Sequence, residues 1–145
     1  MLTAGFSAKL PGSYRRQIRE AFVYPRKIIR VIAWLLLATA VVLTAVPAEL
    51  RPVTGAPSPI EHFAMFFLIG SAFAIGYSRS DYLLCVAAIV FAGSLEFLQL
   101  FVPGRHARLS DFAIDGLSAV IGIALAGLMD RNNLLPLGPE RPIGN

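Results

Sequence analysis

Most of the side chains that could do chemistry stand close together near the middle of the chain. Residues 96–115, EFLQLFVPGRHARLSDFAID, hold Glu96, Gln99, Arg105, His106, Arg108, Asp111 and Asp115 between two very apolar segments. A charge kept from water inside a membrane costs several kcal/mol, so each ionisable group there needs a partner or a task. Glu96 and Gln99 are three residues apart and Asp111 and Asp115 four; on helices each pair shares a face. With Val102 taken as the membrane edge, Glu96 lies about 9 Å deep at roughly 1.5 Å per residue. A carboxyl at that depth must face a bundle interior or a wet cavity, and it needs a donor. Arg105 and Arg108, past the short Pro103-Gly104 turn, are the obvious donors. The planar guanidinium fork grips carboxylates and phosphates in the same bidentate way. The group therefore fits a self-satisfied ion network and a site for an anionic headgroup equally well, and the spacing leaves both open.

Other chemistries find less support. The chain has no Gly-rich phosphate loop, no H-E-x-x-H and no serine set as a nucleophile elbow. His62, Glu96, Asp111 and His106 follow no metal-ligand spacing, and the neighbouring arginines oppose a cation; no metal and no cofactor are expected. A carboxyl or imidazole in apolar surroundings suits proton transfer near neutral pH, which makes Glu96 or His62 a candidate general base. With no recognisable nucleophile beside them, binding is favoured over catalysis. Plain structure accounts for part of the set. Ser110 is a natural helix N-cap, Asp111 suits the positive end of a helix dipole, and Gln99 can serve as an interhelical hydrogen-bonding group.

The elements that must position these residues follow from composition. At 145 residues, 56% hydrophobic and with a mean hydropathy of +0.65, the chain is too apolar for a soluble domain and reads as one small membrane unit. Its net charge of +4 does not point to nucleic acid, because the excess sits mostly before the first apolar run, where it sets membrane orientation. The single Cys85 lies inside an apolar run and reads as a small core hydrophobe.

Four apolar runs, 28–46, 62–77, 82–102 and 111–129, read as spans; three have close to the roughly 20 residues a spanning helix needs, and the second is somewhat shorter. His62, at the start of the second, thereby joins Glu96, Gln99, Asp111 and Asp115 at one membrane face. Lys9, Arg15, Arg16, Arg19, Arg26, Lys27 and Arg30 all precede VIAWLLLATAVVLTAV, and Arg79, Arg131 and Arg141 share their compartment. By the positive-inside rule that side is the cytoplasm, which puts both termini inside and the polar group outside. The fold expected is an all-α, four-helix transmembrane bundle. Residues 1–27 form a basic arm or an interfacial amphipathic helix with Tyr14, Ile18 and Phe22 on one face. Residues 28–130 form the membrane domain, and 131–145 a mobile tail rich in Pro and Gly. The Pro-rich stretch 47–59 reads as an external loop. Val46-Pro47-Ala48 faintly resembles a signal-peptidase site, but the long basic region before it favours an uncleaved anchor. Gly70 and Ala74, Ala88 and Gly93, and Ala119, Gly122 and Ala126 mark the helix-packing faces.

In order, His62-Phe63 with Gly70, Glu96 with Gln99, Pro103-Gly104-Arg105, Asp111 with Asp115, and Gly122 resemble the pattern of the VanZ-like membrane proteins over about residues 60–128. The chain departs from it in three places. Ser58-Pro59 stands about where an Asp-Lys pair is frequent, Asp115 where asparagine is usual, and Ser118 where glycine is expected. The resemblance implies a multi-pass protein of the bacterial inner membrane and a link to low-level, teicoplanin-type glycopeptide resistance. Combined with the residues, it gives the expected function: binding of an anionic envelope lipid, such as a polyprenyl-phosphate-linked precursor, at the outer face. Arg105, Arg108 and His106 would meet the headgroup; Glu96, Gln99, Asp111, Asp115 and His62 would build the pocket. The alternatives are a membrane-embedded enzyme acting on a lipid-linked envelope substrate, with Glu96 or His62 as base, and a small structural subunit with membrane-protein partners.

Overall fold

The computed structural model describes residues 26–47, 55, 57–77, 81–132 and 134–135. Among them the chain is all-helical. Helix α1 is Arg26–Ala45, α2 Ser58–Gly76, α3 Asp81–Gln99 and α4 Leu109–Arg131. All four are long and apolar enough to cross a membrane. The expected N-terminal arm or interfacial helix, most of the 47–59 loop and most of the C-terminal tail lie outside the described residues.

The surface is built the wrong way round for water. Trp34, Leu35, Val42, Val90 and Leu117 are exposed, whereas the buried positions include Ala33, Ala40, Ala72, Ala92, Ala119 and Gly122. Large side chains gain nothing by turning inward when the surroundings are hydrocarbon; small ones let backbones approach and gain van der Waals contact. The most extensive packing, between α2 and α4, shows this directly. A Cβ on Gly70 would collide with the Ala119 carbonyl, and one on Gly122 would collide with the Phe67 carbonyl. The Ser71 hydroxyl donates to the Gly122 carbonyl at 3.3 Å across the same seam. Ala74, Ile123 and Ala126 continue it, with Cys85 packed against them as a partly buried apolar group.

Helix ends are satisfied by their neighbours. At one end of the bundle, Arg26 donates to the Ile75 carbonyl at 2.7 Å and to the Asp130 carboxylate at 2.9 Å. Arg30 donates to the Gly76 carbonyl at 2.6 Å and lies over the Tyr77 ring. The last carbonyls of α2, which have no intrahelical donor, are thus held by α1. Arg131 in the last turn of α4 pairs with Asp81 in the first turn of α3, each charge matched to its own helix dipole. At the other end, Arg105 in the α3–α4 loop donates to the carbonyls of Leu43 and Val46 at 2.7 and 3.3 Å, closing the C-terminus of α1.

Since the α2–α4 seam has no room for a side chain at Gly122, Gly122→Leu is expected to cost at least the 1–3 kcal/mol typical of overpacking. Ala124→Leu, at an exposed position of the same helix, should be nearly neutral. Thermal melting of the two variants in the same detergent checks this; equal melting temperatures would contradict the seam.

Candidate functional site

The site is put together by one turn of backbone and two buried carboxylates. Helix α3 ends at Gln99, and the chain turns back through Val102-Pro103-Gly104-Arg105, where the Arg105 N–H donates to the Val102 carbonyl at 3.1 Å. Gly104 has φ +73°, so proline at the second position and glycine at the third make a type II turn, and a side chain at the third would be strained. The PGR motif is thereby explained by backbone geometry, which aims Arg105 at α1.

Glu96 is 7% exposed and Gln99 5%. The Gln99 amide donates to Glu96 Oε1 at 3.1 Å, and the main-chain N–H of Arg108 donates to Glu96 Oε2 at 2.9 Å. Arg108 is the N-cap residue of α4. The donor that Glu96 takes is therefore an amide at a helix start, not the guanidinium expected from the sequence. A side chain one helix away ties down the entry to α4. This corrects the expectation for Ser110, which lies inside the helix; its hydroxyl donates to Asp111 Oδ1 at 3.1 Å and no side chain caps the N-terminus. The main-chain bond from Arg108 to Glu96 fixes the chain just ahead of Leu109, and the helix begins before Ser110 is reached.

Asp115, 1% exposed, lies one turn inside α4, and His62 one turn inside α2. The His62 Nδ1 and Asp115 Oδ1 are 2.9 Å apart, across the α2–α4 seam. Asp115 is thus matched by an imidazole able to donate to it and, when protonated, to neutralise it. Ser118, fully buried, donates to the Asp115 carbonyl at 3.0 Å. Glu96 lies close enough to Asp111, Asp115 and His62 to interact with them, so the carboxyls of α3 and α4 and the imidazole of α2 form one polar group.

Of the residues named from the sequence, Glu96, Gln99 and Asp115 are buried in the interior, and His62 and Asp111 are half-buried at its edge. The others are on the loop. Arg105 is half-buried with one nitrogen on α1, while His106 and Arg108 are exposed. What sequence reasoning missed is the use of Arg105 as a cap for α1, and the buried Ser118, whose only trace was a departure from an expected glycine. Among the described residues, no three His, Cys, Asp or Glu side chains are grouped to hold a metal ion.

A family model described as VanZ/LLP1 matches residues 9–130, which extends through the first span and well beyond half of the chain. No curated protein and no solved structure matches the chain.

Because Glu96 accepts from both the Arg108 main-chain amide and the buried Gln99 amide, Glu96→Ala should leave the Gln99 donor unmet in the interior, costing about 1–3 kcal/mol, and release the loop. The loop should loosen before the bundle does. Limited trypsin digestion, read as the rate of cleavage after Arg105 and Arg108, is expected to rise in Glu96→Ala and to stay near wild type in Glu96→Gln, whose amide oxygen can still accept.

Proposed function

The chain belongs to the VanZ/LLP1 family and is a multi-pass membrane protein; on that premise we propose that it binds the anionic headgroup of an envelope lipid, or of a lipid-linked precursor, at the loop end of the bundle. The observation that carries the reading is the placement of Arg108 and His106, exposed on a loop that Glu96 and Arg105 hold rigid directly above a charged interior. An exposed guanidinium carried at a membrane surface on a backbone fixed by Glu96 can meet a phosphate bidentately. The three carboxylates beneath it do not themselves attract an anion, so the headgroup belongs at the loop and not in the interior. The seven basic residues before the hydrophobic heart of the first span support an orientation with the opposite end in the cytoplasm, and with it a location of this site at the outer face of a bacterial inner membrane. A lipid-linked precursor held there would be less accessible to an antibiotic that recognises it, which is how a teicoplanin-type phenotype would arise.

A second reading has an observation of its own. An imidazole oriented by a buried carboxylate at 2.9 Å is the arrangement that readies a general base. On this reading the protein is a membrane-embedded enzyme on a lipid-linked substrate, with His62 as base and Asp115 as its positioning residue.

Lipids retained by the purified protein separate these readings from a purely structural role. Mass spectrometry of the wild type should find an enriched phosphate lipid, depleted about tenfold in Arg108→Ala, a loss of about 1.4 kcal/mol, with melting unchanged. The same bulk lipid in both would leave the group as internal scaffolding. On the enzyme reading, His62→Gln should abolish turnover of a lipid-linked substrate while its retention persists; retained turnover would remove His62 as base.

A further inference from the structure

The chain on either side of Arg108 turns large apolar side chains outward. Leu100 is 61% exposed, Phe101 70% and Leu109 86%. Phe97, one turn below Phe101, is exposed as well and meets its ring edge-on at 5.3 Å. Facing water, each of these groups would keep its unfavourable hydration; facing acyl chains, none would.

Their height relative to Arg108 is set by the backbone. The N–H groups of Leu100 and Phe101 donate to the carbonyls of Phe97 and Leu98 at 3.2 and 3.1 Å, so the chain continues along α3 beyond Gln99. Arg108 has come back to the level of Glu96, which accepts its main-chain N–H at 2.9 Å. Leu100, four residues past Glu96, thus stands about 6 Å farther along the bundle than the Arg108 main chain, at roughly 1.5 Å per residue. Leu109 shares the level of Arg108. A bilayer deep enough to cover Leu100 and Phe101 therefore also covers the point from which the Arg108 side chain leaves.

Irregular backbone does not stand exposed to lipid in the hydrocarbon core, so this depth is the headgroup layer. The loop suits it: the amides of Val102 and Arg105 are met close by, at the Gln99 and Val102 carbonyls, both at 3.1 Å. Exposed apolar groups beside exposed His106 and Arg108 make the surface amphipathic in the manner of an interfacial segment. The arginine stem can lie along the apolar part while its guanidinium reaches the phosphates.

We infer that the α3–α4 loop is seated in the headgroup layer, with Leu100, Phe101 and Leu109 against acyl chains, and that Arg108 takes its phosphate sideways, from a lipid of the same leaflet, and not from the water. The seat stands on the exposures and bonds alone. The sideways route rests on the headgroup reading and adds to it where the phosphate comes from.

The test uses the full chain in lipid nanodiscs, both faces of which are open to the buffer. Trp34 is the single tryptophan, so Trp34→Phe gives a background in which Phe101→Trp reports alone; Leu109→Trp is a second probe, used in the same way. Phosphatidylcholine brominated high on its acyl chains should quench both probes strongly, and aqueous iodide hardly at all. Quenching by iodide and not by bromolipid would overturn the seat. Quenching by neither, with a dimer in native mass spectra, would give the surface to a second copy of the chain and overturn it too. For the route, brominated phosphatidylglycerol replaces part of the phosphatidylcholine. It should be enriched about fivefold beside the Leu109→Trp probe, the preference one basic side chain gives at a membrane surface, and the excess should vanish with Arg108→Ala and survive millimolar glycerol phosphate. Loss of the excess to glycerol phosphate would show a site filled from the water and overturn the sideways route. An excess that is absent, or that Arg108→Ala leaves intact, would remove the headgroup reading and the route with it, while the seat is judged by the first quenching experiment.

Discussion

A polar group within a bilayer has no water to fall back on, and this requirement governs the whole molecule. Inside a helix the backbone meets it unaided. At helix ends it does not, because the first amides and last carbonyls lack intrahelical partners. Here the missing partners come from other helices. Arg26 and Arg30 of α1 close the C-terminus of α2, Arg105 closes the C-terminus of α1, and Glu96 of α3 holds the amide from which α4 starts. Ionisable side chains that look costly in so apolar a chain thus join separate helices into one body. Each such bond runs between elements and adds to the packing that small residues provide along the seam.

The same bonds define what the site can do. Glu96 and Asp115 are engaged by Gln99, the Arg108 amide and His62, so the interior is a set framework, and the groups turned outward are Arg108 and His106 on the loop. Scaffold and site overlap: the carboxylate that shapes the loop also fixes the backbone from which Arg108 extends. A replacement at Glu96 therefore acts through geometry before it acts through charge, and loop order has to be read beside any change in binding.

The sequence by itself determined the number and rough limits of the spans, the small-residue faces and the cluster of unusual side chains at one end. These are properties of composition and period: roughly 20 apolar residues are a bilayer's thickness, glycine and alanine at Gly70, Ala119 and Gly122 can serve only close approach, and a carboxyl at Glu96 cannot face lipid. Pairing is of another kind. That Asp115 meets His62 across 53 residues of sequence, that Arg105 serves α1, and that Glu96 takes a backbone amide where a guanidinium was expected depend on how the helices rotate and where the type II turn directs the chain. Charge complementarity along a sequence allows many partners; only the tertiary structure, by fixing distances of about 3 Å at which a hydrogen bond forms or fails, decided among them.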